Sequence, residues 1–201
     1  MTDKNGSNPV ALVTGGTKGI GLAICKILGD KGFDLITCAR SQKDLDQMKA
    51  DFSRTSVRVS SKKVDLSDRK EVKKFAEYVR NCTPKLEILV NNAGVFFPGE
   101  ILKEQEGQLE MMINTNLYSA YHLTRSLIDL MPGGDKPHIF NMCSIASKIA
   151  YPNGGSYSIS KFALLGFSKV LREELKTSGI RVTSLMPGAT WSDSWKGADL
   201  P

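Results

Sequence analysis

Four consecutive apolar residues, Val10-Ala11-Leu12-Val13, open the hydrophobic pattern. No polar position alternates with them, the signature of a strand buried on both faces. Gly15, Gly16, Gly19 and Gly21 follow, and then Ile20, Ala23, Ile24, Ile27 and Leu28 recur at helical spacing. The glycines therefore stand where a strand hands over to a helix. Residues 33–39 (FDLITCA) predict a second strand and residues 42–53 a helix. Residues 56–60 form a short β-prone run. Ser67-Asp68 offers capping chemistry to a helix whose apolar stripe is Val72, Phe75, Ala76 and Val79. Residues 86–90 (LEILV) predict a fourth strand. One long helix is expected over residues 107–131, with Leu109, Met112, Ile113, Asn116, Leu117 and Ala120 on one face, closed by Met131-Pro132-Gly133-Gly134. Residues 138–142 (HIFNM) give a fifth strand, a helix opens near Ser156 and ends at Gly179, and residues 180–185 (IRVTSL) give a sixth. Strands alternating with helices predict an α/β fold: a doubly wound parallel sheet with helices on both faces.

The chain's 201 residues suit one α/β domain, residues 1–201. Hydrophobic residues at 41% and charged residues at 24% support a packed core and exclude a disordered chain. The net charge of +6 is spread along the sequence with no aromatic-rich basic stretch. It reads as a solvated surface, not a nucleic-acid site. Cys25, Cys38, Cys82 and Cys143 include no C-x-x-C pair and no histidine-rich partner cluster, so neither a metal site nor a disulfide framework is expected. They read as reduced, part-buried apolar residues. His122 and His138 have no Ser/Asp triad context. The polar start MTDKNGSN lacks a signal core, and no apolar run approaches the roughly 20 residues that span a bilayer, so a cytoplasmic location without a membrane partner is expected.

The glycine turn is where chemistry first enters. Free N–H groups and the positive end of a helix dipole point the same way there, making an anion site. Glycine lets a diphosphate approach the backbone. The spacing is G-x-x-x-G-x-G, not the general G-x-G-x-x-G. At the end of the second strand stand Arg40 and Ser41, with no carboxylate. An acid at that place selects NAD, and a cation accommodates the extra phosphate of NADP. With Lys18 as a second cation, the pattern favours NADP; the alternative is that both are surface cations. Asp65 suits either an adenine contact or a turn. Asn92-Ala93-Gly94 suits either a flat cofactor or an ordinary turn. Asn116 is an amide on a buried stripe, and an unpaired buried polar group costs about 1–3 kcal/mol. It is either a local helix bend or an amide placed under an active site. Ser144 lies at the carboxyl end of the fifth strand, where ligands collect. Tyr157 and Lys161 stand one helical turn apart on one face. Trp191 and Trp195 in the polar tail suggest a flap over a ligand or packing against a neighbouring subunit.

Taken together, Thr14-Gly15-x-x-x-Gly19-x-Gly21, Asn92-Ala93-Gly94, Asn116, Ser144, Tyr157-x-x-x-Lys161 and Pro187-Gly188 closely resemble the short-chain dehydrogenase/reductase family, in its order and with its spacing. The resemblance implies a Rossmann fold and an oxidoreductase that moves a hydride between NADP(H) and a carbonyl or secondary alcohol. It implies Tyr157 as general acid or base and Ser144 as the group that positions the substrate oxygen. Lys161 would hold the nicotinamide ribose and lower the tyrosine pKa, and Asn116 would hold a relay water. Shifting a tyrosine from about 10 to neutrality takes about 4 kcal/mol. Cofactor contacts are implied at Gly15, Thr17, Lys18, Gly19, Ile20 and Gly21 in the turn. Arg40 and Ser41, Asp65 and Leu66, then Asn92, Ala93 and Gly94 continue them. Tyr157, Lys161, Pro187, Gly188 and either Thr190 or Ser192 complete the set. Members usually continue into a seventh strand and a closing helix, so here that strand is expected to be missing, with residues 189–201 as the start of a substrate flap. Members are often homodimers or homotetramers. The other reading is a catalytically silent NADP(H)-binding regulatory protein, against which the complete Asn116, Ser144, Tyr157 and Lys161 set argues. The substrate is left to the loops at residues 95–100 and 147–155.

Overall fold

Every residue of β1 (Val10–Thr14) is buried, as an unbroken apolar run requires. It lies near the middle of a six-stranded sheet in the order β3-β2-β1-β4-β5-β6, all neighbours parallel. The other strands are β2 (Asp34–Ala39), β3 (Val59–Lys63), β4 (Ile88–Asn91), β5 (His138–Met142) and β6 (Arg181–Leu185). The computed structural model describes residues 8–133 and 137–190; Gly134, Trp191, Ser192 and Trp195 lie outside the described residues. The chain is a Rossmann-like α/β fold. Among the described residues no helix is long and apolar enough to cross a membrane.

The helices are α1 (Gly19–Asp30), α2 (Gln42–Phe52), α3 (Arg69–Cys82), α4 (Gln108–Ile113), α5 (Ser119–Leu127) and α6 (Gly155–Glu174). Alternate residues of β1 serve opposite layers. Val10 and Leu12 pack with Phe75 and Val79 of α3, Leu123 and Leu127 of α5 and Leu171 of α6. Ala11 and Val13 pack with Cys25 of α1 and Met48 and Phe52 of α2. All four cysteines are free, and burial pushes the Cys25 and Cys38 thiols up to about 12.

The expected boundaries hold within a few residues except at β3 and at the end of α6. Residues 53–55 are used by the turn that closes α2, where Thr55 donates from both N–H and hydroxyl to the Phe52 carbonyl. Pairing with β2 starts only at Leu35 opposite Val59, so the strand runs 59–63 and not 56–60. The rod expected over 107–131 is interrupted. Between α4 and α5 lies a π-helical turn, Asn114–Tyr118, and Ile128–Leu130 is a tight 3-10 turn. Leu109 is exposed, unlike the rest of its expected face. The α6 helix stops at Glu174, and Gly179, at φ +75°, serves the later turn into β6.

The apolar stripe expected on α1 holds at Ile24 and Leu28, which pack on the core, and is corrected at Ala23 and Ile27. Ala23 and Ile27 face solvent, while Gly21, Cys25 and Gly29 are buried. At Gly21 and Gly29 the helix lies so close to its neighbours that a side chain does not fit. A methyl at Gly21 would run into the Gly15 carbonyl oxygen and sit 2.5 Å from Asn92 Nδ2. A methyl at Gly29 would sit 2.7 Å from the Phe52 ring. A glycine in a helix interior normally costs stability relative to alanine. Here the sign reverses. Gly21→Ala is expected to destabilise the protein by about 1–3 kcal/mol in equilibrium urea denaturation; stability equal to or above wild type would show that the close approach is not tight.

Candidate active site

The glycine turn is held open by hydrogen bonds from two neighbouring strands. Thr37, a polar residue within apolar β2, donates from Oγ1 to the Val13 carbonyl at 2.7 Å and accepts the Gly16 N–H at 3.1 Å. Thr14 Oγ1 accepts the N–H groups of Asn92 and Ala93, both at 3.0 Å. Asn92 Nδ2 returns to the Thr14 carbonyl at 2.9 Å and the Gly15 carbonyl at 3.3 Å. Gly15 and Gly19 have φ of +67° and +52°, values that favour glycine. Thr17, Lys18 and Ile20 lie on the same turn, and Lys18 immediately precedes α1 with no side-chain cap. The first turn of α1 holds no acidic residue. Its N–H groups thus open onto a glycine-rich turn with no acidic residue in the helix's own first turn, which fits the diphosphate of a dinucleotide. The turn sits where the strand order reverses between β1 and β4, the switch point at which such sheets bind ligands.

The rim at the end of β2 is less purely basic than the strand's own residues suggest. Lys18 Nζ pairs with Asp44 Oδ2 at 2.8 Å, and this cation holds the Asp44 carboxyl below its ordinary range. The carboxylate comes from α2, so a scan of the strand end alone misses it. Such an exposed pair can exchange partners readily. Arg40 is exposed. The Ser41 hydroxyl caps α2 by accepting the Asp44 N–H at 3.3 Å. Asp65 takes its turn role: Oδ1 accepts the N–H and hydroxyl of Ser67 at 2.9 and 2.7 Å. Those bonds, with a smaller pull from Arg40, hold its carboxyl low. Leu66 puts its side chain into the core.

Beyond β4 the chain passes between the glycine turn and α6. A methyl on Gly94 would lie 3.1 Å from Asn116 Oδ1 and 3.5 Å from Lys161 Nζ, while one on Gly15 would lie 3.3 Å from Ala93 Cα. The 92–94 turn therefore bridges the cradle to the second half of the site. Asn116 makes no local side-chain bond of the kind that would bend its own helix; its partners lie on other segments. It sits in the π-helical turn, and its amide reaches across to Val95, accepting the N–H at 2.8 Å and donating to the carbonyl at 3.0 Å. It also donates to Ser160 Oγ at 2.9 Å.

Tyr157 and Lys161 do share one face of α6. Lys161 Nζ lies 5.7 Å from the centre of the Tyr157 ring and donates to the Met142 carbonyl at 2.8 Å. Ser144 follows β5, caps a short turn by accepting the Ala146 N–H at 3.2 Å, and stands near enough to the Tyr157 phenol to bear on its pKa. Burial pushes that phenol above its ordinary value, and the Ser144 hydroxyl draws it partly back. Burial outweighs any pull from the Lys161 ammonium and leaves the phenol above its ordinary value. Burial disfavours the Lys161 ammonium itself and brings its pKa down to about 8.

Beyond β6 the Pro187 carbonyl accepts the Ile145 N–H at 3.2 Å, so the loops after β5 and β6 meet. Gly188 faces Ile145 there, and the Thr190 hydroxyl donates to the Gly188 carbonyl at 3.1 Å. Three participants were not anticipated as site residues. Thr37 clamps the glycine turn, Phe96 packs edge-on against the Tyr157 ring at 4.7 Å, and Ser160 links Asn116 to α6. Thr37 carried a signal, a lone hydroxyl within an apolar run, and Phe96 lies in the loop expected beside the substrate; Ser160 carried none.

The family model described as short chain dehydrogenase matches residues 9–199. A dehydrogenase/reductase SDR family member 7B from Xenopus tropicalis is 32% identical over 187 residues, covering 89% of this chain and 60% of that protein. A 3-oxoacyl-(acyl-carrier-protein) reductase from Haemophilus influenzae is 30% identical over 184 residues, covering 92% of this chain and 75% of that one. The crystal structure of a short-chain dehydrogenase from Burkholderia cenocepacia in complex with NADP superposes with a TM-score of 0.87 at 28% identity, over 94% of this chain and 78% of that one. The glycine turn, the placing of Lys161 beside the Tyr157 ring and the family match over nearly the whole sequence agree, and the chain belongs to the short-chain dehydrogenase/reductase family of oxidoreductases.

Proposed function

We propose that this chain reduces a small-molecule carbonyl, or oxidises the corresponding secondary alcohol, with NADP(H). The observation that carries the reading is the convergence of Ser144 and Lys161 on the Tyr157 ring, beside the turn that touches the glycine cradle. The cradle at Gly15, Thr17, Gly19, Ile20 and Gly21 would hold the diphosphate. Arg40, Ser41 and Lys18 would meet the adenosine phosphate, with Asp44 giving up its partner. Asn92, Ala93, Gly94, Pro187, Gly188 and Thr190 would line the nicotinamide end. The bound cofactor supplies a hydride to the carbonyl carbon or removes one from the alcohol.

Tyr157 gives its phenolic proton to the carbonyl oxygen. A phenol kept protonated by burial suits that donor role. Ser144 donates a hydrogen bond to the same oxygen and fixes its position. Lys161, with a proton exchangeable near pH 8, stabilises the phenolate that remains. Asn116 holds the Val95 backbone and Ser160, and so keeps the entry loop and α6 in register. Self-association as a homodimer or homotetramer belongs to the same reading, supported by exposed Met111, Tyr118 and Phe162 on α4–α6 and the turn between them.

Purified protein with NADPH should turn over at least one of a panel of ketones, diketones, quinones and 3-oxoacyl thioesters; tight NADPH binding with no turnover of any would count against the reading. Tyr157→Phe should lower kcat by about a hundredfold or more while NADPH affinity stays near wild type. A variant that keeps most of its rate would remove Tyr157 from the proton step. Arg40→Asp should move the NADP over NAD preference in kcat/KM by about tenfold or more towards NAD; an unchanged ratio would show that Arg40 does not meet the phosphate. For Lys161 the folded pKa of about 8 lies below the ordinary 10.5. Below pH 8 the ammonium is charged in both folded and unfolded chains, so its burial penalty is fully present. Between the two values the folded protein has shed the proton and the unfolded chain has not, so stability rises with pH. Relative to Lys161→Met, wild type should gain up to about 3 kcal/mol across that window in urea denaturation. A flat difference would place the Lys161 proton elsewhere.

A further inference from the structure

The α6 helix starts without a cap of its own. Gly154 precedes it and has no side chain, yet α6 runs for 20 residues and carries both Tyr157 and Lys161. Its first N–H groups need acceptors. One comes from far away in sequence. Glu104 Oε1 accepts the Ser156 N–H at 2.8 Å, and Glu104 Oε2 accepts the Ser156 hydroxyl. Ser156 is buried and directly precedes Tyr157.

The approach is built for that carboxylate. Gly155 has φ of +36°, and a methyl there would collide with Glu104 Oε1 and sit 2.5 Å from the Gly99 carbonyl oxygen. The Gly99 N–H donates to the Asn153 carbonyl at 3.0 Å. Glu104 itself ends a turn in which its N–H and that of Lys103 both donate to the Glu100 carbonyl, at 3.1 and 2.8 Å. The loop over residues 95–104 is thus fastened at both ends. Asn116 grips Val95, Phe96 packs on the Tyr157 ring, and Glu104 grips the start of α6.

We propose that Glu104 is a positioning residue for Tyr157: its carboxylate caps α6 and ties the loop beside the site to the helix that carries the phenol. The inference rests on the role proposed for Tyr157. A carboxylate at a helix N-terminus meets both unpaired donors and the positive end of the dipole. Removing it frees the first turn of α6, and the phenol loses its fixed distance to the reacting oxygen. The cradle at Gly15–Gly21 lies on another element, and Lys161 sits one turn further into α6, so most of the grip on the cofactor is kept.

The test compares wild type, Glu104→Ala and Glu104→Gln by hydrogen exchange of the peptide spanning residues 153–160, by NADPH titration and by steady-state reduction of the best carbonyl from the panel. In Glu104→Ala, exchange at the start of α6 should quicken by about five- to tenfold. Its kcat should fall by about tenfold or more, with NADPH affinity within about twofold of wild type. Glu104→Gln keeps an acceptor oxygen and a polar group for Ser156, and should restore most of both. Wild-type exchange and kcat in Glu104→Ala would overturn the proposal. So would a kcat loss that carries an equal loss of NADPH affinity and is not rescued by glutamine, since that describes general unfolding. Should wild type reduce none of the carbonyls, the reading of the activity fails by itself, and the exchange comparison still decides whether Glu104 holds the helix.

Discussion

The constraint on which the site depends is the close approach of two strand ends. β1 and β4 are adjacent and parallel, and the helices that follow them leave for opposite faces of the sheet. The gap between their exits is the switch point. It is closed by one hydroxyl and one amide. Thr14 Oγ1 takes two backbone N–H groups from the β4 exit, and Asn92 returns to two carbonyls of the β1 exit. Backbone groups at a bent strand end need partners once buried. These two side chains supply them and leave the α1 N–H groups facing outward. A larger residue at Gly15 or Gly21 would push the exits apart.

A second polar network sets the opposite wall. Asn91 Nδ2 donates to Asn141 Oδ1 at 2.8 Å and Thr124 Oγ1 at 3.1 Å, and Asn141 Nδ2 donates to Ser168 Oγ at 2.8 Å. Four buried residues thereby join β4, β5, α5 and α6 under the site. Apolar packing alone allows helices to slide by a fraction of a turn, whereas directional hydrogen bonds in a low-dielectric interior select one register. That register puts Lys161 beside Gly94 and Tyr157 beside Ser144. The π-helical turn at Asn114–Tyr118 belongs to the same account, because it turns the Asn116 amide towards Val95 while α4 and α5 keep packing on either side.

The electrostatics follow from burial more than from pairing. Tyr157 is pushed towards its neutral form and Lys161 towards losing its proton, both because the interior solvates charge poorly. Tyr157 is therefore held neutral, and the Lys161 ammonium is brought close to the pH at which it can exchange its proton, before any opposite charge arrives.

The sequence by itself determined the alternation of strand and helix, the parallel sheet, the glycine turn and the one-turn spacing of Tyr157 and Lys161. These follow from hydrophobic period and from residues with restricted or unusual backbone freedom, which are local properties. β5 was legible to the residue because HIFNM is bounded by turn chemistry on both sides. β3 was displaced because VSSKK is a polar edge strand, and its start is set by pairing with β2. The face of α1 was only partly legible: Ile24 and Leu28 pack as their hydrophobicity suggests, but the most deeply buried positions are Gly21, Cys25 and Gly29, where close neighbours leave room for small residues. Asp44 beside Lys18, Phe96 on Tyr157 and Glu104 on Ser156 were decided only by the tertiary structure. Each is a contact between segments whose separation in space no local pattern encodes.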